Sequence, residues 1–431
     1  MPTPVRDKMR GARIYLFSFI ILSAWFAVQG MAGETLTWEG CVEEALKNNP
    51  DLVSAQEKVK QAKADKGITQ SAMLPEVSSQ LSATTSESSN GQTQDTYSYA
   101  LRGQQLVFDG FKTVANIGAA SKTITAQEYN YFVTSSNVRL NLRVAFVTLL
   151  RAQELISLTE EIAERRAQNL ELVQLRYKAG REHKGALLTA QADLAEAKFE
   201  VTQAERNLSL AQQELTKELG REKKLPLQVQ GSFDIPEGGR TKPDFESLAD
   251  TTPLLKELIA KKEAARLGYS AAQGDFFPEV YVNGSVGKTA SHWPPQSDEW
   301  SAGVTVSFPI FEGGSRIARA SKAKSQFRQA QADERSGRDS VILTLEETWK
   351  NSQDAIDVVA VKKKFLEAAE ERAKIASAQY SQGLITFDDW IIIENNLVNA
   401  KKAYLDAQAD LLVAEANWIQ AKGGTLEYVQ K

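Results

Sequence analysis

The sequence repeats itself at a constant offset. Asn49-Pro50 is answered by Thr252-Pro253, and Leu74-Pro75-Glu76-Val77 by Phe277-Pro278-Glu279-Val280. Val107-Phe108-Asp109-Gly110 is answered by Ile310-Phe311-Glu312-Gly313, and Tyr177-Lys178-Ala179-Gly180 by Tyr380-Ser381-Gln382-Gly383. Pro253 lies 203 residues after Pro50, and the same offset serves the other pairs through Leu219-Gly220 and Lys422-Gly423. Shared punctuation at one period marks a duplicated unit. The chain therefore divides into a first repeat, residues 33–220, and a second, residues 248–423. A linker at 221–247 holds Pro226, Pro236, Gly238, Gly239 and Pro243, which break helix. A short tail, 424–431, follows the second repeat.

Each repeat reads as helix, β-hairpin, very long helix, turn, helix. Proline is absent between Glu76 and Pro226 and again after Pro309, in stretches rich in Ala, Glu, Gln, Lys and Leu. From Phe111 to Ala179 only Gly118 interrupts the helix formers. A helix of that length runs about 100 Å, which suits a rod or tube and not a compact domain. The last helix of each repeat carries a heptad seam. Ala190, Leu194, Ala197, Val201, Ala204, Leu208, Ala211 and Leu215 step by four and three, and Ile393, Leu397, Ala400, Tyr404, Ala407, Leu411, Ala414 and Trp418 repeat the pattern. The many alanines allow close approach of neighbouring helices.

The hairpins, about 76–108 and 279–310, follow a period of two. Trp300, Ala302, Val304, Val306 and Phe308 alternate with Ser301, Gly303, Thr305 and Ser307; Val280, Val282 and Val286 alternate with Tyr281, Asn283 and Ser285. The first hairpin is noisier, with Val77, Leu81 and Ala83 answered by Tyr97, Tyr99 and Leu101. Strands of about 9 to 11 residues match a tilted membrane strand. Tyr97, Tyr99, Trp300 and Phe308 stand at strand ends as candidate membrane-interface aromatics, and Thr84–Thr96 and Thr289–Glu299 are expected as polar loops. The competing reading is a pair of soluble hairpins. Four strands cannot close a barrel in lipid, where an open edge leaves backbone groups unsatisfied. Three copies give twelve strands, enough for a wet channel where eight would be filled by side chains.

The N-terminus carries Arg6, Lys8, Arg10 and Arg13, then an apolar run from Ile14 to Val28 and small residues at Gly30-Met31-Ala32. This reads as a signal peptide over 1–32; a membrane anchor is the alternative, for which the run is short. The single Cys41 cannot form an internal disulfide and reads as an ordinary helix residue. A net charge of −4 gives no basic field for nucleic acid.

Leu36-Thr37-Trp38-Glu39, Ala45-Leu46-Lys47-Asn48-Asn49-Pro50-Asp51-Leu52, the corners Phe108-Asp109-Gly110 and Phe311-Glu312-Gly313-Gly314, and the turn Arg176-Tyr177-Lys178-Ala179-Gly180 resemble the TolC-type outer-membrane efflux family. The resemblance spans nearly the whole mature chain. It implies a mainly α protein with a membrane β-barrel: a homotrimer with an α-helical tunnel in the periplasm and a 12-stranded barrel in outer-membrane lipid, four strands per chain. It further implies an export duct of a tripartite efflux pump or type I secretion system, partnered by a periplasmic adaptor and an inner-membrane pump. On this resemblance the helix-turn tips, with Tyr177, Gly180, Arg181, Tyr380 and Gly383, meet the adaptor; helix capping and packing is the plainer reading. Asp389, beside Asp388, matches the family's acidic ring at the periplasmic mouth, which favours cations; capping of the returning helix is the alternative. Trp390 is a candidate to narrow the same mouth, against ordinary core packing. The first repeat has Ala186 at the position matching Asp389, and Ile385 and Ile392 stand where other members carry polar gate residues, so a salt-bridge latch is in doubt.

No metal, cofactor or catalytic signature emerges. His183 and His292 sit in separate turns, and HExxH, P-loop and GxSxG patterns are missing. A periplasmic coiled-coil adaptor or structural rod is the competing function, although an adaptor would carry one helical hairpin where this chain has two.

Overall fold

The computed structural model describes residues 34–89, 91–223, 226–233 and 241–427; the expected signal peptide lies outside the described residues. The first repeat runs β1 (Glu34–Leu36), α1 (Trp38–Asn48), α2 (Pro50–Ser71), β2 (Glu76–Glu87), β3 (Thr93–Phe108), α3 (Lys112–Lys178) and α4 (Lys184–Glu218). Then come β4 (Leu227–Val229), α5 (Phe245–Ala249), α6 (Pro253–Gly274), β5 (Glu279–Ala290), β6 (Ser297–Ser307), α7 (Ser315–Gln382) and α8 (Phe387–Ala421).

Local sequence sets these boundaries. Asn49 caps α2 by accepting from the amides of Asp51 and Leu52, with Pro50 at the first helical position. At the first corner the Asp109 carboxylate accepts from the Thr113 amide (2.8 Å) and hydroxyl (2.5 Å), starting α3. α3 spans 67 residues and α7 68, each about 100 Å. The heptad seams face inward. Ala190, Ala197, Ala204, Ala211 and Leu215 of α4 are buried, as are Leu397, Ala407 and Leu411 of α8.

The largest core lies around α1, α3 and α4, where Leu142, Phe146 and Leu149 meet Cys41, Val42, Leu215 and Leu227. Cys41 is a buried helix residue, and burial pushes its thiol up to about 12. Within the linker, Leu227–Val229 forms a strand that its Pro and Gly content did not announce. β4 pairs parallel with β1, Leu36 opposite Val229, and Gln153 on α3 bonds both the amide and the carbonyl of Val229. In the tail, Leu426 is fully buried and Glu427 accepts from Tyr131 and Ser135.

The four long strands form one antiparallel sheet in the order β2-β3-β5-β6. At 12, 16 and 12 residues β2, β3 and β5 exceed the expected strands and β6, at 11, meets their upper bound; the polar loops shorten accordingly. The Thr and Ser residues assigned to loops continue the ladder instead, because its bonds are made by backbone whatever the side chain. β2 and β6 are open edges.

Packing is unequal between the repeats. α3 packs on α2 and α4 of its own repeat and also on α6 and α8 of the other. α7 packs on α6 and α8, and among the described residues it makes no comparable contact with α2 or α4.

Candidate functional site

Two regions follow from this frame, the sheet at one end of the long helices and the helix turns at the other. In the sheet, register assigns each side chain to a face, since directly opposed residues share one. Ser79, Leu101, Val286 and Trp300 form one row; Leu81, Tyr99, Lys288 and Asp298 form another. Val77, Leu81, Leu101, Val282, Val286, Val304 and Val306 share this face, and all are exposed. A bulge after Leu106 brings Phe108 opposite Val280 and so onto it as well. The reverse face holds Ser82 bonded to Ser98, Ser285 to Ser301 and Asn283 to Thr305, together with Arg102. One side of the sheet is thus fitted to hydrocarbon and the other to water.

The four aromatics singled out by sequence are on or beside the apolar face. Tyr97 and Tyr99 lie toward the hairpin loops, and Trp300 is 77% exposed. Phe308 follows β6 at the helical end, about 26 Å along the strand from Trp300 at 3.3 Å per residue. Trp293, edge-on to Tyr97 at 6.5 Å, and Phe111, edge-on to Phe108 at 5.7 Å, join them. Phe111 has a left-handed φ of 64°, a conformation that residue type does not announce.

At the far end each long helix stops at a glycine. Gly180 (φ 68°) and Gly383 (φ 78°) are left-handed, with Arg181 N donating to Arg176 O at 2.9 Å and Leu384 N to Gln379 O at 2.9 Å. The returning helices are capped by the His183 ring, accepting from Ala186 N, and by Thr386 Oγ1, accepting from Asp389 N at 3.1 Å.

Two sequence-based assignments need correction here. Trp390 is only 1% exposed and stacks on Tyr380, with centroids 4.2 Å apart and planes 11° apart. Its indole is enclosed within its own chain by Val173, Ala186, Ala376 and Phe387, so it does not narrow a channel. Tyr380 is likewise 0% exposed, which removes it from any docking surface. Its hydroxyl donates to Glu182 (2.8 Å), the Arg176 guanidinium lies over its ring, and Arg176 also donates to its carbonyl (2.7 Å). Burial first, then the bond to Glu182, pushes the Tyr380 phenol well above its ordinary pKa. These groups tie the two turns of one chain together. Tyr177, 39% exposed, and Arg181 remain at the surface with Gly180. Asp388 and Asp389 are exposed, and the Asp389 carboxylate accepts from Thr386 Oγ1 at 2.7 Å.

Sequence reasoning missed a polar node one turn above. Glu394, 1% exposed, takes two bonds from Arg165 (2.7 and 2.8 Å) and others from Asn169 and Ser377, joining α3, α7 and α8. The only signal was its place beside the seam residue Ile393.

Relatives have the same organisation. The family described as "Outer membrane efflux protein" matches residues 41–221 and 246–424, once over each repeat. "Outer membrane efflux protein BepC" of Brucella suis is 22% identical over 416 residues, covering 95% of this chain and 90% of that protein. "Outer membrane protein TolC" of Escherichia coli is 23% identical over 415 residues, covering 89% and 80%. The solved outer-membrane protein VceC of Vibrio cholerae superposes with a TM-score of 0.79 at 20% identity, covering 90% of this chain and 96% of its own. With both repeats matched and the sheet amphipathic, the chain belongs to the outer membrane efflux protein family and is an outer-membrane efflux channel.

Proposed function

We propose that three copies of this chain close into a single conduit, a twelve-stranded barrel continued by a helical tunnel. Through it an inner-membrane pump, linked by a periplasmic adaptor, drives its cargo outward. The observation that carries this reading is the set of contacts made once within the chain and missing where the repeat calls for them again. β3 pairs with β5, and α3 packs on α6 and α8. Among the described residues the equivalent partnerships, β6 with β2 and α7 with α2 and α4, have no comparable contacts, and Leu343, Val358, Val361 and Phe365 on α7 and Phe199 and Leu210 on α4 stand exposed. A neighbouring copy supplies them in a closed ring.

The duct has no energy source and performs no chemistry of its own. Tyr177, Gly180, Arg181 and the Gly383 turn present the adaptor-facing surface, and Asp388 and Asp389 line the periplasmic mouth. Phe308, Trp300, Tyr97 and Tyr99 mark the two membrane interfaces. A periplasmic rod is disfavoured by the apolar sheet face, which water would leave unburied. The test is the detergent-corrected mass of protein extracted from outer membranes, followed by conductance in a planar bilayer. A trimer that conducts supports the reading; a periplasmic monomer ends it.

A further inference from the structure

Beside the waist of the helical section, a cleft of about 630 Å³ opens between α3, the start of α6 and the end of α8. Three cations line it: Arg139, Lys256 and Lys422. Among the described residues none of the three has a carboxylate within ion-pair distance, whereas Lys261 and Lys262 of α6 pair with Glu257 and Glu334. Their contacts are with rings. Lys256 Nζ lies 6.0 Å from the Tyr129 centroid, Lys422 Nζ 4.9 Å from that of Trp418, and the Arg139 guanidinium 5.9 Å from that of Trp38. Burial, and then repulsion from its neighbour Arg143, lowers the pKa of Arg139; burial and Arg139 lower that of Lys422. Glu415 attracts both electrostatically and, among the described residues, makes an ion pair with neither.

The repeat supplies an internal control. At the 203-residue offset, Arg139, Lys256 and Lys422 correspond to Ile342, Val53 and Leu219. One backbone framework therefore carries three aliphatic residues in one setting and three cations in the other. Packing does not require the charges, and burial disfavours the charged forms of Arg139 and Lys422. The α6 N-terminus adds to the positive field. Thr252 spends its hydroxyl on Ala249 O (2.7 Å) and leaves the first amides without a side-chain cap, unlike Asn49 at the equivalent α2.

We propose that this cleft binds a water-soluble oxyanion, a carboxylate or phosphate group, free or carried on a sugar-sized body. The cations and helix end hold the charge, and Tyr129 and the exposed Phe132 ring flank the body. Phe132 lies about 30 Å along α3 from the end of the sheet, at 1.5 Å per residue from Lys112. That distance is beyond the head-group layer, so the ligand comes from the aqueous compartment and not from a lipid. Two sources carry such groups there, the acidic muropeptides of the cell wall and free anions.

The test is calorimetric titration of the full chain in detergent with three probes: an anionic muropeptide, the same muropeptide with its carboxyls amidated, and inorganic phosphate. The expected result is binding of at least one anionic probe, weakened at least tenfold in Lys256→Gln/Lys422→Gln and in Arg139→Gln. Preference for the anionic muropeptide over its amide assigns the wall as source, and binding of phosphate alone assigns a free anion. The salt dependence of wild-type binding reads out independently of the variants' folding. Failure of every anionic probe, or binding indifferent to salt and to the substitutions, overturns the proposal. None of these outcomes depends on the number of copies in the conduit.

Discussion

Gly110 is pressed against Phe277: a Cβ on that glycine would lie 2.5 Å from the Phe277 Cβ and 2.7 Å from the Gly274 carbonyl oxygen. The corner after the first hairpin thus docks on the end of α6, in the other repeat. Its counterpart Gly313 has nothing within 4 Å, and the adjoining Ile310 and Phe311 are almost wholly exposed. The repeat assigns the missing partner to the end of α2, near Leu74, and in this chain α2 does not reach it.

Gly110→Ala therefore meets both a left-handed φ of 67° and a backbone clash. A loss of about 2 to 4 kcal/mol is expected, seen as a lower melting temperature in any assembly state. Gly313→Ala, at φ 58°, carries the backbone strain of about 1 kcal/mol alone in a monomer. In the trimer its loss should approach that of Gly110→Ala. Melting curves of detergent-dispersed monomer and assembled protein check the difference; equal losses for Gly313→Ala in both would remove this corner from the interface.

Trp390→Ala is expected to cost about 3 to 5 kcal/mol, as for a large buried aromatic, and to leave ion selectivity unchanged in a conducting channel. Asp388→Asn/Asp389→Asn should do the reverse, reducing cation over anion permeability with little effect on melting. Reversal potentials in a salt gradient, measured beside thermal melts, separate the two roles.

The exposed first turn is the better place to disturb an adaptor. Arg181→Glu should weaken site-specific cross-linking to the adaptor severalfold without shifting the melting temperature. Tyr380→Phe leaves the surface intact and removes the bond to Glu182, at about 1 to 2 kcal/mol. Cross-linking unaffected by Arg181→Glu would move the docking surface elsewhere.

Cys41 gives a pH signature. Its thiol has a raised pKa of about 12 in the folded chain, against about 8.5 when unfolded. The folded state holds its proton longer, so the stabilisation is complete below pH 8.5 and is lost as pH rises toward 12. Denaturation midpoints across that range should fall more steeply in the native chain than in Cys41→Ala. Below pH 8 a maleimide should leave the folded thiol unlabelled.

Much of this architecture was legible because punctuation and periodicity survive duplication. The glycine turns, the heptad seams and the hairpin alternation all have local causes, and the register confirms that Leu81 faces with Tyr99 and Val286 with Trp300. Burial within a duplicated fold was not legible. Tyr177 and Tyr380 occupy equivalent positions, yet only Tyr380 has an aromatic partner, because Trp390 corresponds to Leu187 in the first repeat. Glu394 and the Arg139 cleft escaped for a related reason: each joins α3 to helices of the second repeat, far along the chain. β4 escaped because three residues carry no periodicity, and its strand exists through pairing with β1.

The unpaired edges of β2 and β6 have a genetic consequence. A chain with a spoiled edge can still offer its sound edge to a neighbour, and so enters a ring it cannot close. When sound and spoiled copies are made together, only a small minority of rings is built wholly from sound ones. Lesions at these two strands should therefore behave as dominant alleles, whereas lesions that keep a chain from folding at all should be recessive.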